Sequence, residues 1–176
     1  MNCKNCLNRR ANRDLQPNGF TLMELLIVIA IILILMLMAI PTIGGLKKQA
    51  NETSAMNSMQ VILKAEMQYE STFPSNGYAC SLAALGGDPK SGAPTVSAAQ
   101  VLQPDLASGL KSGYIFNISN CTKVNLNGTD RITGYQITAV PQSIGKTGNR
   151  GFCGDESGAM KQDPAGGTNC VQNVGQ

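Results

Sequence analysis

From Leu25 to Ile40 the chain carries sixteen consecutive side chains with no charged or hydrogen-bonding group, and Phe20 to Met23 place further, mostly apolar surface ahead of them. A helix of about 20 apolar residues at about 1.5 Å rise each crosses the hydrocarbon core of a bilayer. The run therefore predicts a membrane-spanning helix over residues 20–45. Glu24 interrupts it four residues from its start, and a carboxylate inside such a helix needs a partner. Pro41 and the pair Gly44-Gly45 predict a kinked but continuing rod, with local melting between Ile40 and Gly45.

The helical period continues beyond Lys47-Lys48 with a different composition. Ala55, Met56, Met59, Ile62, Leu63 and Met67 recur at three- and four-residue spacing, while Asn51, Glu52, Asn57, Ser58, Gln60, Lys64 and Gln68 occupy the other side. This predicts an amphipathic helix over 46–73, stopped by Phe73-Pro74-Ser75-Asn76-Gly77, whose apolar face packs on a sheet. Methionines at this spacing are read as core rather than as copper ligands.

Residues 74–176 predict a globular head. It starts with an irregular connection over 75–112, in which Cys80 to Leu85 and Ser97 to Leu102 are expected to form single helical turns with Ser97 as an N-cap. Strands follow at Tyr114 to Ile118, Tyr135 to Val140 and Gly151 to Cys153, with a short return at Ala159 to Lys161. An Asn127-Gly128 turn lies between the first two, and Asp155 to Gly158 turns the last. Short turns between consecutive strands give an antiparallel meander. The expected class is α+β: a long N-terminal helix packed on a sheet of about four strands.

Charge separates the ends. Lys4, Arg9, Arg10 and Arg13 against Asp14 give residues 1–19 a net +3; of 14 basic and 11 acidic side chains in the chain, ten of each remain, so the rest is neutral. No basic stripe is left for nucleic acid. Basic residues ahead of a first membrane segment hold that end in the cytoplasm. Residues 1–19, closed by Pro17-Asn18-Gly19, thus read as a leader, with Cys3 and Cys6 as incidental thiols of that leader.

The head offers little catalytic chemistry. The chain has no histidine, the usual general base and commonest metal ligand, and no phosphate or dinucleotide loop. An enzyme is not expected, and no cofactor is. Asp155, Glu156 and Asp163 are the candidates for calcium, although their spacing follows no known loop and a solvated turn accounts for them. Beyond the leader, Cys80, Cys121, Cys153 and Cys170 are an even set in an exported head, which implies two disulfides with three possible connectivities. The favoured one joins Cys153 to Cys170, pinning the Gly-rich tail to the last hairpin, and leaves Cys80 for Cys121.

The segment Gly19-Phe20-Thr21-Leu22-Met23-Glu24-Leu25-Leu26-Ile27-Val28-Ile29-Ala30-Ile31-Ile32, with Pro41 after it, resembles the processing site and stem of type IV prepilins and of their relatives, the pseudopilins of type II secretion. The leader of nineteen residues is longer than is usual with phenylalanine at the new terminus. The resemblance implies a cut between Gly19 and Phe20 by a prepilin peptidase, N-methylation of Phe20, and a product of 157 residues (176 minus 19). It further implies a precursor in the bacterial inner membrane, lipid contact before assembly, an inner-membrane assembly machinery, and a homopolymer built through the N-terminal helices as an extracellular pilus or periplasmic pseudopilus. Glu24 would pair with the amine created by the cut, in its own chain or a neighbour's, and so set the register between helices. Pro41 would supply flexibility. A pseudopilin or minor pilin is the alternative within the family; a membrane-tethered binding head that never polymerises is the alternative outside it.

Overall fold

The computed structural model describes residues 19–126, 128–170 and 172–173, with the backbone alone at 38–43, 172 and 173. The leader reading, Cys3 and Cys6 included, and Asn127 of the expected turn lie outside the described residues. The chain divides into two units, Met1–Ile40 and Pro41–Gln176.

Helix α1 (Leu22–Thr72) is 51 residues long and helical through Pro41, Gly44 and Gly45. The melting expected there is absent. A proline removes one backbone donor, and helix propagation on both sides carries the chain across a single lost hydrogen bond. In the first unit, each large apolar side chain from Phe20 to Leu37 is exposed, Ile32 least at 44% and Phe20 most at 91%. Among the described residues no helix is long and apolar enough to cross a membrane; the described apolar side chains end at Leu37, and the sequence carries the run on to Ile40.

In the second unit, α1 lies on one face of a six-stranded antiparallel sheet. Strands β1 (Leu110–Lys111), β2 (Tyr114–Leu126), β3 (Thr129–Pro141), β4 (Gly151–Asp155), β5 (Met160–Asp163) and β6 (Gln172–Asn173) neighbour each other in chain order, giving the expected meander. Two more strands occur than the four expected. Both additions, β1 and β6, are two-residue edges too short to show a period. Strands β2 and β3 also run on, pairing to Leu126↔Thr129 across a two-residue loop. On β2 that distal pairing is exposed on both faces, so no alternation of side chains announces it.

The core forms where the period-2 faces of β2 (Tyr114, Phe116, Ile118) and β3 (Tyr135, Ile137, Ala139) meet Ala55, Met59, Ile62, Ala65 and Tyr69 of α1. Strand β4 is covered on both sides. A methyl group at Gly154 would touch Met59 and Leu63, and one at Gly151 would collide with the Gly167 carbonyl of the C-terminal loop. The buried face of α1 is more polar than its pattern suggests. Glu52, Ser58 and Glu66 are buried, whereas Met67, expected in the core, is 66% exposed. Glu52 and Ser58 had been expected on the solvent side; each sits beside the apolar stripe, where the head folds over the helix.

The connection forms α2 (Leu82–Leu85), capped by the Ser81 side chain on the Ala84 N–H, and α3 (Pro104–Ala107), with proline at its first turn. Ser97 to Leu102 is not a helix. Thr95 and Ala98 exchange backbone hydrogen bonds in a tight bridge, and the N–H groups of Ala99, Val101 and Leu102 donate to Ala84 and Leu85 at the end of α2. Those carbonyls, left open by a one-turn helix, draw the chain into an extended path.

Candidate processing and assembly site

The stem begins with a reciprocal cap. The Thr21 N–H and hydroxyl both donate to Glu24 Oε2 at 2.9 Å, and the Glu24 N–H donates to Thr21 Oγ1 at 3.2 Å. This is the Thr-x-x-Glu capping box, which satisfies donors that the first turn of any helix leaves open. A carboxylate in that turn also faces the positive end of the helix dipole. Thr21 is a residue that the sequence reading passed over as a working part, although Thr21-Leu22-Met23-Glu24 spells the signature. Both bonds fall on one oxygen, so a carboxylate with about four lone-pair sites keeps acceptor capacity for an amine.

Ahead of the cap, Gly19 and Phe20 are non-helical and exposed. A side chain at Gly19 would meet nothing within 4 Å. Crowding by the chain itself therefore does not demand glycine there. The Gly19–Phe20 peptide bond lies in exposed chain outside the helix, open to a protease.

The head's ionisable groups are committed elsewhere. Glu52 Oε1 accepts the Asn149 N–H at 2.8 Å, and Oε2 binds the Arg150 guanidinium at 2.7 Å. Arg150 also donates to Gln162 at 3.1 Å and lies over the Phe152 ring. Burial alone would push the Glu52 carboxyl up, but the Asn149 and Arg150 donors together hold it below the ordinary value. This lock joins α1 to the β3–β4 loop and β5, and no local spacing in the sequence reveals a pair 98 residues apart.

Asp155, Glu156 and Asp163 do not converge. Asp155 Oδ1 accepts from Ser157, Glu156 Oε2 from the Tyr135 N–H, and the buried Asp163 from the N–H groups of Ala165 and Asn169. Among the described residues no three carboxylates, cysteines or histidines form a metal-binding group. Asp163 instead shapes the loop that closes over β4. Cys153 and Cys170 are bonded across that loop, and Cys80 and Cys121 tie the connection to β2, each pair with Cα atoms 6.0 Å apart. A groove of about 950 Å³ between α1 and the α3–β1 segment has one ionisable lining residue, Lys111, held by Asp105 at 3.0 Å.

An apolar helical stem with a capped acid at its head, continuing as the helix that carries an antiparallel meander, is a pilin-like arrangement. Residues 16–40 match the model of the prokaryotic N-terminal methylation motif. The chain is also 42% identical over 67 residues to the type IV wide pilus major component PilA4 of Thermus thermophilus, a match that covers 38% of this chain and half the length of that relative. No solved structure matches the chain. The chain is thus similar to a type IV pilin over its N-terminal motif and over part of its length.

Proposed function

We propose that the chain is a structural subunit of a type IV pilus-like filament. The precursor sits in the inner membrane as a single pass with its amino terminus in the cytoplasm. A prepilin peptidase cuts between Gly19 and Phe20 and methylates Phe20, and the 157-residue product leaves the lipid to polymerise through its stem. The observation that carries this reading is a stem whose large apolar side chains from Phe20 to Leu37 are all exposed, with one capped carboxylate among them. A helix hydrophobic all round needs lipid or other helices around it. The pilus component in Thermus supports the second.

In this reading Glu24 pairs with the amine of Phe20 and fixes one stem against the next, since an unpaired carboxylate among apolar helices costs several kcal/mol. The decisive variant is Glu24→Gln, which keeps an oxygen for the Thr21 cap and removes the charge. The expected result is normal cutting, seen as the shorter band in the membrane fraction, with no subunit in the fraction sheared from cells. Sheared filaments at wild-type yield overturn the pairing.

A further inference from the structure

The head contains a carboxyl group that the filament reading does not use. Glu66 lies fully buried in α1. Its Oε2 accepts the Ala79 N–H at 2.8 Å, and its Oε1 has no partner among the described residues. The ionisable groups around it are Tyr69 of α1, Tyr135 of β3, and Tyr78, whose ring meets that of Tyr135 edge-on at 4.9 Å. Farther out, Glu70 and Arg131 bind each other at 2.7 Å, and Asp155 and Glu156 stand at the β4–β5 turn, adding only negative charge. Among the described residues Glu66 has no salt bridge.

Ala79 belongs to a strap, Asn76 to Cys80, that crosses from the end of α1 to the sheet. Ile132 donates to Asn76 and accepts from Tyr78 at 2.9 and 3.1 Å, and Cys80 is bonded to Cys121 of β2. Two hydrogen bonds tie the strap back to α1: Asn76 to the Tyr69 hydroxyl, and Ala79 to Glu66.

We propose that Glu66 is a proton-dependent clasp between α1 and the Asn76–Cys80 strap, closed while its carboxyl is neutral and loosened when it ionises. One backbone donor cannot compensate a carboxylate that has left water and meets no cation. Burial accordingly pushes the Glu66 carboxyl up to about 8, with only the Ala79 N–H opposing. The folded chain then holds a proton that the unfolded chain has released. The clasp's stabilisation is complete below the ordinary carboxyl value and is lost as pH rises toward the folded one. No histidine titrates in that interval, and all four head cysteines are in disulfides.

The test compares the full chain in detergent with Glu66→Gln, which keeps an acceptor for Ala79 and cannot ionise. For the wild type, the unfolding equilibrium constant of the head in urea is expected to rise with pH between about 5 and 8, by up to about tenfold per unit, the limit for one proton. Glu66→Gln is expected to stay flat, and parallel profiles for the two chains overturn the proposal. Amide exchange locates the effect: relative to Glu66→Gln, Tyr78 and Ala79 of the wild type should lose protection first as pH rises, and unchanged relative protection also overturns it. Should the variant fail to fold, carbonyl carbon NMR of Glu66 in the wild type decides. A neutral carboxyl at pH 7 supports the clasp, and a titration near the ordinary carboxyl value rules it out.

Discussion

The cap that Glu24 forms with Thr21 and the pairing proposed for it are separable by single substitutions. As a cap it needs only an oxygen opposite Thr21; as a pairing group it needs charge. Thr21→Val removes the cap's hydroxyl and leaves the charge, costing about 1 kcal/mol at the first turn. The expected outcome is faster amide exchange at residues 22–25 with filaments still formed, the reverse of Glu24→Gln. Glu52 behaves as an ordinary structural ion. Its side chain is 7% exposed and doubly bonded to Arg150 and the Asn149 N–H. Glu52→Ala leaves Arg150 without its acid and should destabilise the head by about 3 kcal/mol, measured as a shift in urea midpoint. Its pH dependence is opposite to that of Glu66. Because the folded carboxyl is held low, its stabilisation is present above the unfolded value and is lost as pH falls through the folded one. Acid unfolding of the wild type should therefore be steeper than that of Glu52→Ala. Neither buried acid was visible in the pattern, because helical spacing assigns residues to faces by polarity and both break that assignment.

At the scale of elements, the long helix and the central strands were legible because burial on one face writes a period into the chain. Tyr135-Gln136-Ile137-Thr138-Ala139 alternates because α1 covers one side of β3. What stayed hidden has no such cause. The outer part of β2 is exposed throughout, α3 is one turn long, and β4, although its strand was expected, is covered on one side by α1 and on the other by a loop that folds back from beyond it. That loop depends on its cross-link. Cys153–Cys170 closes 17 residues and Cys80–Cys121 closes 41. On a loop-entropy account their loss costs about 3 and about 4 kcal/mol. Cys153→Ser/Cys170→Ser is expected to expose β4, with faster exchange at Phe152 and Gly154, while Cys80→Ser/Cys121→Ser costs more in the urea midpoint and leaves β4 protected. Gly151→Ala should imitate the first pair with its disulfide intact, since the added methyl collides with the Gly167 carbonyl.

For the molecule as a whole, charge and apolar surface are segregated along the chain, and this predicts which forces hold an assembly together. Residues 1–19 carry the net +3, and residues 20–176 have ten basic and ten acidic side chains. The tenth acid is Glu24 of the stem, so residues 41–176 carry ten basic and nine acidic side chains, and heads of so small a net charge approach one another with little long-range repulsion. The surface left for burial is the stem, where Leu22 to Leu37 hold large apolar side chains that their own chain leaves uncovered. In the proposed filament the pairing of Glu24 with the new amine lies inside that apolar layer, where salt screens poorly. Sheared filaments should accordingly stay sedimentable as sodium chloride is raised tenfold from about 0.05 M, since ions screen exposed charges over about a Debye length and leave apolar contacts intact. A mild detergent, which offers the stems an alternative apolar partner, should release soluble subunits at the same ionic strength. Dissolution by salt alone would instead place the assembly contacts on the charged surface of the heads, and the stem would then be an anchor rather than a polymer core.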